Sequence, residues 1–81
     1  MTPEEVGRYA ESLPQVKRKG TDSRPAWYVH DRLVARLHDP DTLVVRVPLD
    51  RRESLLEAYL DRAEDGAVRT AIDLAWELQH R

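Results

Sequence analysis

The stretch Trp27-Tyr28-Val29-His30-Asp31-Arg32-Leu33-Val34-Ala35-Arg36-Leu37-His38-Asp39-Pro40-Asp41-Thr42-Leu43-Val44-Val45-Arg46-Val47 decides the fold. Its three apolar runs are rich in aromatic and β-branched residues, which fit the pleated, half-buried surface of a sheet. His30-Asp31 and His38 to Asp41 separate the runs with turn-forming residues. The spacing therefore predicts a hairpin followed by a third antiparallel strand. Successive side chains on a strand point to opposite faces, so Leu33, Ala35 and Leu37 are expected in the core, with Val34 and Arg36 on the other side. The same rule parts Trp27 from Tyr28: one belongs to the core and its neighbour to the opposite face. Pro48, which has no N–H to give to a ladder, is expected to end the third strand.

Upstream, Thr2-Pro3-Glu4-Glu5 is a helix start, with Thr2 as cap, proline at the first helical position and Glu5 completing a capping box. Val6, Tyr9, Ala10 and Leu13 continue it as one apolar stripe, and Pro14 halts it near Ser12 or Leu13. From Gln15 to Pro25 no hydrophobic period survives. Lys17-Arg18-Lys19-Gly20-Thr21-Asp22-Ser23-Arg24 reads as an exposed loop. Downstream, Asp50-Arg51-Arg52-Glu53 repeats the capping pattern and predicts a second helix from Arg51, with Leu55, Leu56 and Tyr59 as its apolar face. Asp65 caps a last helix whose stripe is Val68, Ala71, Ile72, Ala75 and Leu78. The order is helix, three antiparallel strands, helix, helix, and the class is α+β.

A chain of 81 residues supports one domain, 1–81, and buries only about 60–65 % of the surface it exposes unfolded. With 41 % hydrophobic and 35 % charged residues it has the composition of a folded domain on the polar side of the globular range. The absence of cysteine excludes disulfides, thiolate metal sites and cysteine nucleophiles, and favours an intracellular, cytoplasmic protein. No apolar run approaches the roughly 20 residues of a membrane span, and the acidic start MTPEEVGRYAES has no signal-peptide core. A formal charge of −2 withholds the global basic field of many nucleic-acid binders, so a nucleic-acid site must be a local patch.

Several segments, taken in order, resemble one family: Tyr9-Ala10-Glu11-Ser12-Leu13-Pro14, Pro25-Ala26-Trp27-Tyr28-Val29, Arg32-Leu33-Val34-Ala35-Arg36-Leu37, Thr42-Leu43-Val44-Val45-Arg46-Val47 and Leu55-Leu56. They are similar to the MmcQ/YjbR family over residues 2 to 58, and Ala75-Trp76 resembles its C-terminal helix. The resemblance implies a small bacterial protein with a CyaY-like, YjbR-like α/β sandwich, an antiparallel sheet of at least three strands with helices on one face, and DNA binding through a double-wing arrangement. Asp31 replaces a glycine common in the family's hairpin turn, a change that such a turn tolerates. The larger departure lies between residues 59 and 66, where the family's two further strands, with a His-Tyr and a Trp-Val element, are missing. Two readings stay open: a true deletion that leaves a three-stranded sheet with a bare edge, or an internal stretch omitted from the sequence. The hazard of a bare edge favours the second, and an intact mass of 9.4 kDa would exclude it.

No acid, base or nucleophile constellation is visible, and no zinc, Walker or dinucleotide motif, so the expectation is a non-enzymatic protein without a cofactor. Glu4, Glu5 and Glu11 invite comparison with the iron-binding acidic face of frataxin-type relatives, but helix-start carboxylates are explained by the macrodipole. His30 and His38, with Asp31, Asp39 and Asp41 near them, could approach each other as a weak metal site; plain turn residues are the preferred reading, and no metal is expected. The nucleic-acid candidates are Lys17, Arg18, Lys19 and Arg24 in the loop, Arg32, Arg36 and Arg46 on the strands, and Arg51 and Arg52 at the predicted second helix. Arg36 and Arg46 are expected on the open sheet face, where Trp27 or Tyr28 could stack. The expected function is weak DNA binding through phosphate contacts, carried mainly by Lys17, Arg18, Lys19 and Arg24. The plain alternative for these charges is a solvated surface paired with Asp22, Asp50 and Glu53. The alternative function is a protein-interaction or regulatory module with no nucleic-acid partner, using an exposed sheet edge or Trp76 as an anchor. The oligomeric state is open, and a membrane partner is not expected.

Overall fold

The computed structural model describes residues 1–49 and 52–80. Helix α1, Pro3–Ser12, begins on the predicted capping box: Thr2 Oγ1 accepts the Glu5 N–H at 3.2 Å, and a Glu5 carboxylate oxygen accepts the Thr2 N–H at 3.1 Å. The Thr2 backbone N–H, and after it the Thr2 side chain, hold the Glu5 carboxyl below its ordinary pKa. Five strands follow, β1 Lys17–Gly20, β2 Pro25–Val29, β3 Arg32–Asp39, β4 Thr42–Leu49 and β5 Arg52–Tyr59, and then helix α2, Asp65–His80. The strands form one sheet in the order β1-β2-β3-β4-β5, with every neighbouring pair antiparallel.

The class is α+β, but the sheet has five strands where the sequence predicts three. The segment read as a loop contains β1, with Lys17 opposite Tyr28 and Lys19 opposite Ala26. Its residues are all exposed, so it carries no burial period by which to be recognised. The segment read as a second helix is β5, paired with β4 from Leu49↔Arg52 to Thr42↔Tyr59. Leu55, Leu56 and Tyr59 mimic helical spacing, and the long ladder offered by β4 overrides that local preference. Asp50 and Arg51, on which the expected helix start rested, lie outside the described residues. β4 also runs through Pro48, contrary to expectation. Its register with β3 covers Thr42 to Val45, so at Pro48 the strand is paired on the β5 side, an arrangement that tolerates proline.

β2 and β3 are joined by His30-Asp31, whose φ values of 51° and 61° are those of a type I′ turn, the two-residue link that matches the twist of a hairpin. Trp27 pairs with Ala35 and Tyr28 with Leu33, which leaves Val34 as the extra residue of a bulge. The bulge corrects the predicted alternation: Val34 and Ala35 are both buried, and Leu33 joins Tyr28 on the opposite side. Gly20, with φ 90°, enters the β1–β2 turn, and a Cβ there would lie 2.5 Å from the Arg24 carbonyl oxygen.

The core unites one sheet face with both helices. Trp27, Ala35, Leu37, Leu43 and Val45 pack with Val6 and Ala10 of α1 and Val68, Ile72 and Ala75 of α2. Trp27 is 1 % exposed and donates its indole N–H to Glu11 at 3.3 Å. Gly7 lets α1 approach it, since a Cβ there would meet the indole at 3.1 Å. Trp76 is partly buried rather than a free anchor: it donates to the Pro14 carbonyl at 2.9 Å and stacks on His80. No helix among the described residues is long and apolar enough to cross a membrane.

Candidate nucleic-acid interface

Residues directly opposite in an antiparallel ladder share a face, so the register identifies what stands on the side away from the helices. One row runs Lys17, Tyr28, Leu33. The next runs Lys19, Ala26, Arg36, Val44, Glu57, and a third pairs Arg46 with Leu55. Four cations from β1, β3 and β4 thus share one face with Tyr28, whose ring lies 5.1 Å from Lys19 Nζ. Arg36 and Arg46 are partly buried. Trp27 takes the core position and Tyr28 the open face.

Acidic groups limit the field. Lys19 pairs with Asp31 at 3.1 Å, and Glu57 ends the central row. Glu57 also accepts a hydrogen bond from the Tyr59 hydroxyl at 3.0 Å, which raises the pKa of that phenol.

Of the remaining predicted cations, Arg18, Arg24 and Arg32 do not join this face. Arg18 lies opposite Trp27 on the helix side of β1, 3.7 Å from Asp22. Arg24 is exposed in the β1–β2 turn, where its N–H donates to Thr21 Oγ1 at 3.1 Å. Arg32 closes the β2–β3 turn opposite Val29. Arg52 is placed by register opposite Leu49, and Arg51 lies outside the described residues. Reading 17–24 as one loop merged Lys17, Arg18 and Lys19 into a single basic run; as a strand it divides them between two faces.

The proposed approach of His30 and His38 is corrected by β3, which separates His30, in the turn before it, from His38 near its far end; the strand from Arg32 to His38 alone spans roughly 20 Å at about 3.3 Å per residue. His30 instead lies 5.4 Å from the His80 ring. Among the described residues no group of three or more His, Asp or Glu side chains is placed to hold a metal ion. A cleft of about 750 Å³ lies on the helix side, between α1 and the β1–β2 hairpin, floored by the enclosed Trp27 and flanked by the Arg18–Asp22 pair. Compared with family profiles, curated proteins and solved structures, the chain matches none.

Proposed function

We propose that the open sheet face binds DNA weakly through its phosphate backbone, in a non-enzymatic protein of MmcQ/YjbR resemblance and CyaY-like fold. The observation that carries this reading is the placement of Lys17, Lys19, Arg36 and Arg46 on the same face as Tyr28, the face away from both helices. Lysine and arginine on a broad face contact phosphates without reading sequence, and an aromatic ring gives an unpaired base a surface on which to stack. With a net charge of −2, attraction is confined to this face, and modest affinity follows.

Fluorescence anisotropy of labelled duplex and single-stranded DNA at two salt concentrations tests it. Binding should fall steeply with salt, by about 0.9 in the log–log slope for each phosphate neutralised on duplex. Lys17→Ala with Lys19→Ala should weaken binding and flatten that slope by about two contacts, whereas Arg18→Ala with Arg24→Ala should leave it unchanged. Equal losses from both pairs would reject the face assignment, and no binding by the unaltered protein at low salt would reject the function.

A further inference from the structure

We infer that His30 and His80 form a two-histidine zinc site that ties the last turn of α2 to the β2–β3 turn. The inference does not rest on DNA binding. His30 opens the type I′ turn with φ 51°, and His80 ends α2, so the two imidazoles come from separate elements. Their ring centroids lie 5.4 Å apart, with the planes at 37°. The His80 ring stacks on Trp76, centroid to centroid 4.5 Å, and the Trp76 indole N–H is fastened to the Pro14 carbonyl at 2.9 Å. Stacking occupies the face of a ring, whereas the ligating nitrogens lie on its edge. No side-chain hydrogen bond or ion pair among the described residues engages either imidazole, so the nitrogens are uncommitted. A neutral imidazole offers one nitrogen lone pair to a metal.

Distance selects the ion. A zinc–nitrogen bond of about 2.0–2.1 Å, continued to the middle of the imidazole, puts each ring centroid about 3.2 Å from the metal. Two such rings are then about 5.2 Å apart at the tetrahedral angle and about 4.5 Å apart at the right angle of square-planar or octahedral sites. The observed 5.4 Å falls close to the tetrahedral value, the geometry zinc adopts. Magnesium and calcium take oxygen ligands and gain nothing from this pair.

The site is an open one. Asp31, next to His30 in the chain, is engaged by Lys19 at 3.1 Å, and no third His, Asp or Glu among the described residues completes a cluster. The protein therefore supplies two ligands, and water fills the other positions. Two imidazoles held at this spacing bind more tightly than either alone, because the first contact delivers the second ligand at high local concentration. An ion that binds the folded chain in preference to the unfolded one stabilises it, here by joining the helix end to the hairpin.

Calorimetric titration of the untagged protein with zinc chloride tests the site. One zinc should bind per chain, and His30→Asn and His80→Ala should each weaken binding about tenfold or more, while His38→Ala leaves it unchanged. Asparagine tolerates the left-handed conformation at position 30, so His30→Asn removes the imidazole and keeps the turn. Zinc should raise the melting temperature of the unaltered protein, and magnesium chloride should not. In NMR spectra the ring signals of His30 and His80 should shift together as zinc is added, with those of His38 in place. Absence of saturable zinc binding up to about 1 mM would overturn the inference, as would binding that survives at full strength in His30→Asn or His80→Ala.

Discussion

β1 and β5 end the same sheet on opposite sides, and they solve the problem of a bare edge differently. β1 is short, fully exposed and carries Lys17, Arg18 and Lys19, two of them in ion pairs with Asp22 and Asp31. A strand that would pair with it must desolvate those charges, and this is a common way for proteins to blunt an edge. β5 is twice as long and presents Leu55, Leu56 and Tyr59. The α2 helix lies over β3 and β4, leaving the helix side of β5 open as an apolar groove. One edge is thus hydrated and charged, and the other apolar and open.

The largest expected effect tests whether the two edges belong to one cooperative unit. The ladder row Arg18, Trp27, Ala35, Val45, Leu56 crosses the sheet from β1 to β5, and Trp27 is its largest buried member. Trp27→Ala should cost about 3–5 kcal/mol, most of the stability of a marginal small domain. Urea titration measures the loss, and amide exchange locates it. Amides of both edges should lose protection together; loss confined to β1 would show that the edges unfold separately and break the comparison.

The same contrast explains what the sequence disclosed. Periodicity is a record of burial on one face, so it marked the interior strands, where Ala35, Leu37, Leu43 and Val45 alternate with outward residues, and the stripes of both terminal helices. At the edges the record fades. β1 has no buried residue to betray it, and in β5 both Leu55 and Leu56 are half exposed, so their adjacency looked helical. The bulge at Val34 is likewise invisible in composition, because it is set by the pairing of Trp27 with Ala35. The candidate site was legible to the same extent: alternation placed Arg36, Arg46 and a Trp27–Tyr28 division, whereas the division of Lys17 and Lys19 from Arg18 required knowing that β1 is a strand.

A smaller effect separates the edges. Gly20 holds the β1–β2 turn at φ 90°, and a methyl group there would press on the Arg24 carbonyl, a backbone atom that cannot rotate away. Gly20→Ala should cost about 1–3 kcal/mol. Exchange protection should fall at Lys17 to Lys19, while that of β5 persists. A loss of protection in β5 of this variant would show that β5 depends on the integrity of the opposite edge.

The smallest effect concerns what fastens the end of β5. Asp39, at the β3–β4 turn, accepts the Asp41 N–H at 2.9 Å, and this backbone bond is the main cause that holds its carboxyl below the ordinary range. The Asp41 carbonyl in turn accepts the Leu60 N–H at 2.8 Å, so the chain leaving β5 is tied to the same turn. Because folding favours the charged carboxylate, its contribution is present above the unfolded value of about 4 and is lost as pH falls through the lower folded value. Asp39→Asn keeps an oxygen acceptor for the Asp41 N–H and removes the titration. The Leu60 amide of the unaltered protein should therefore lose exchange protection relative to Asp39→Asn as pH drops below about 4. Glu5, whose carboxyl is also held low, titrates in both proteins, so its effect cancels in the difference. Parallel pH curves for the two proteins would detach the β5 end from this turn and leave the Thr42↔Tyr59 pair to fasten it.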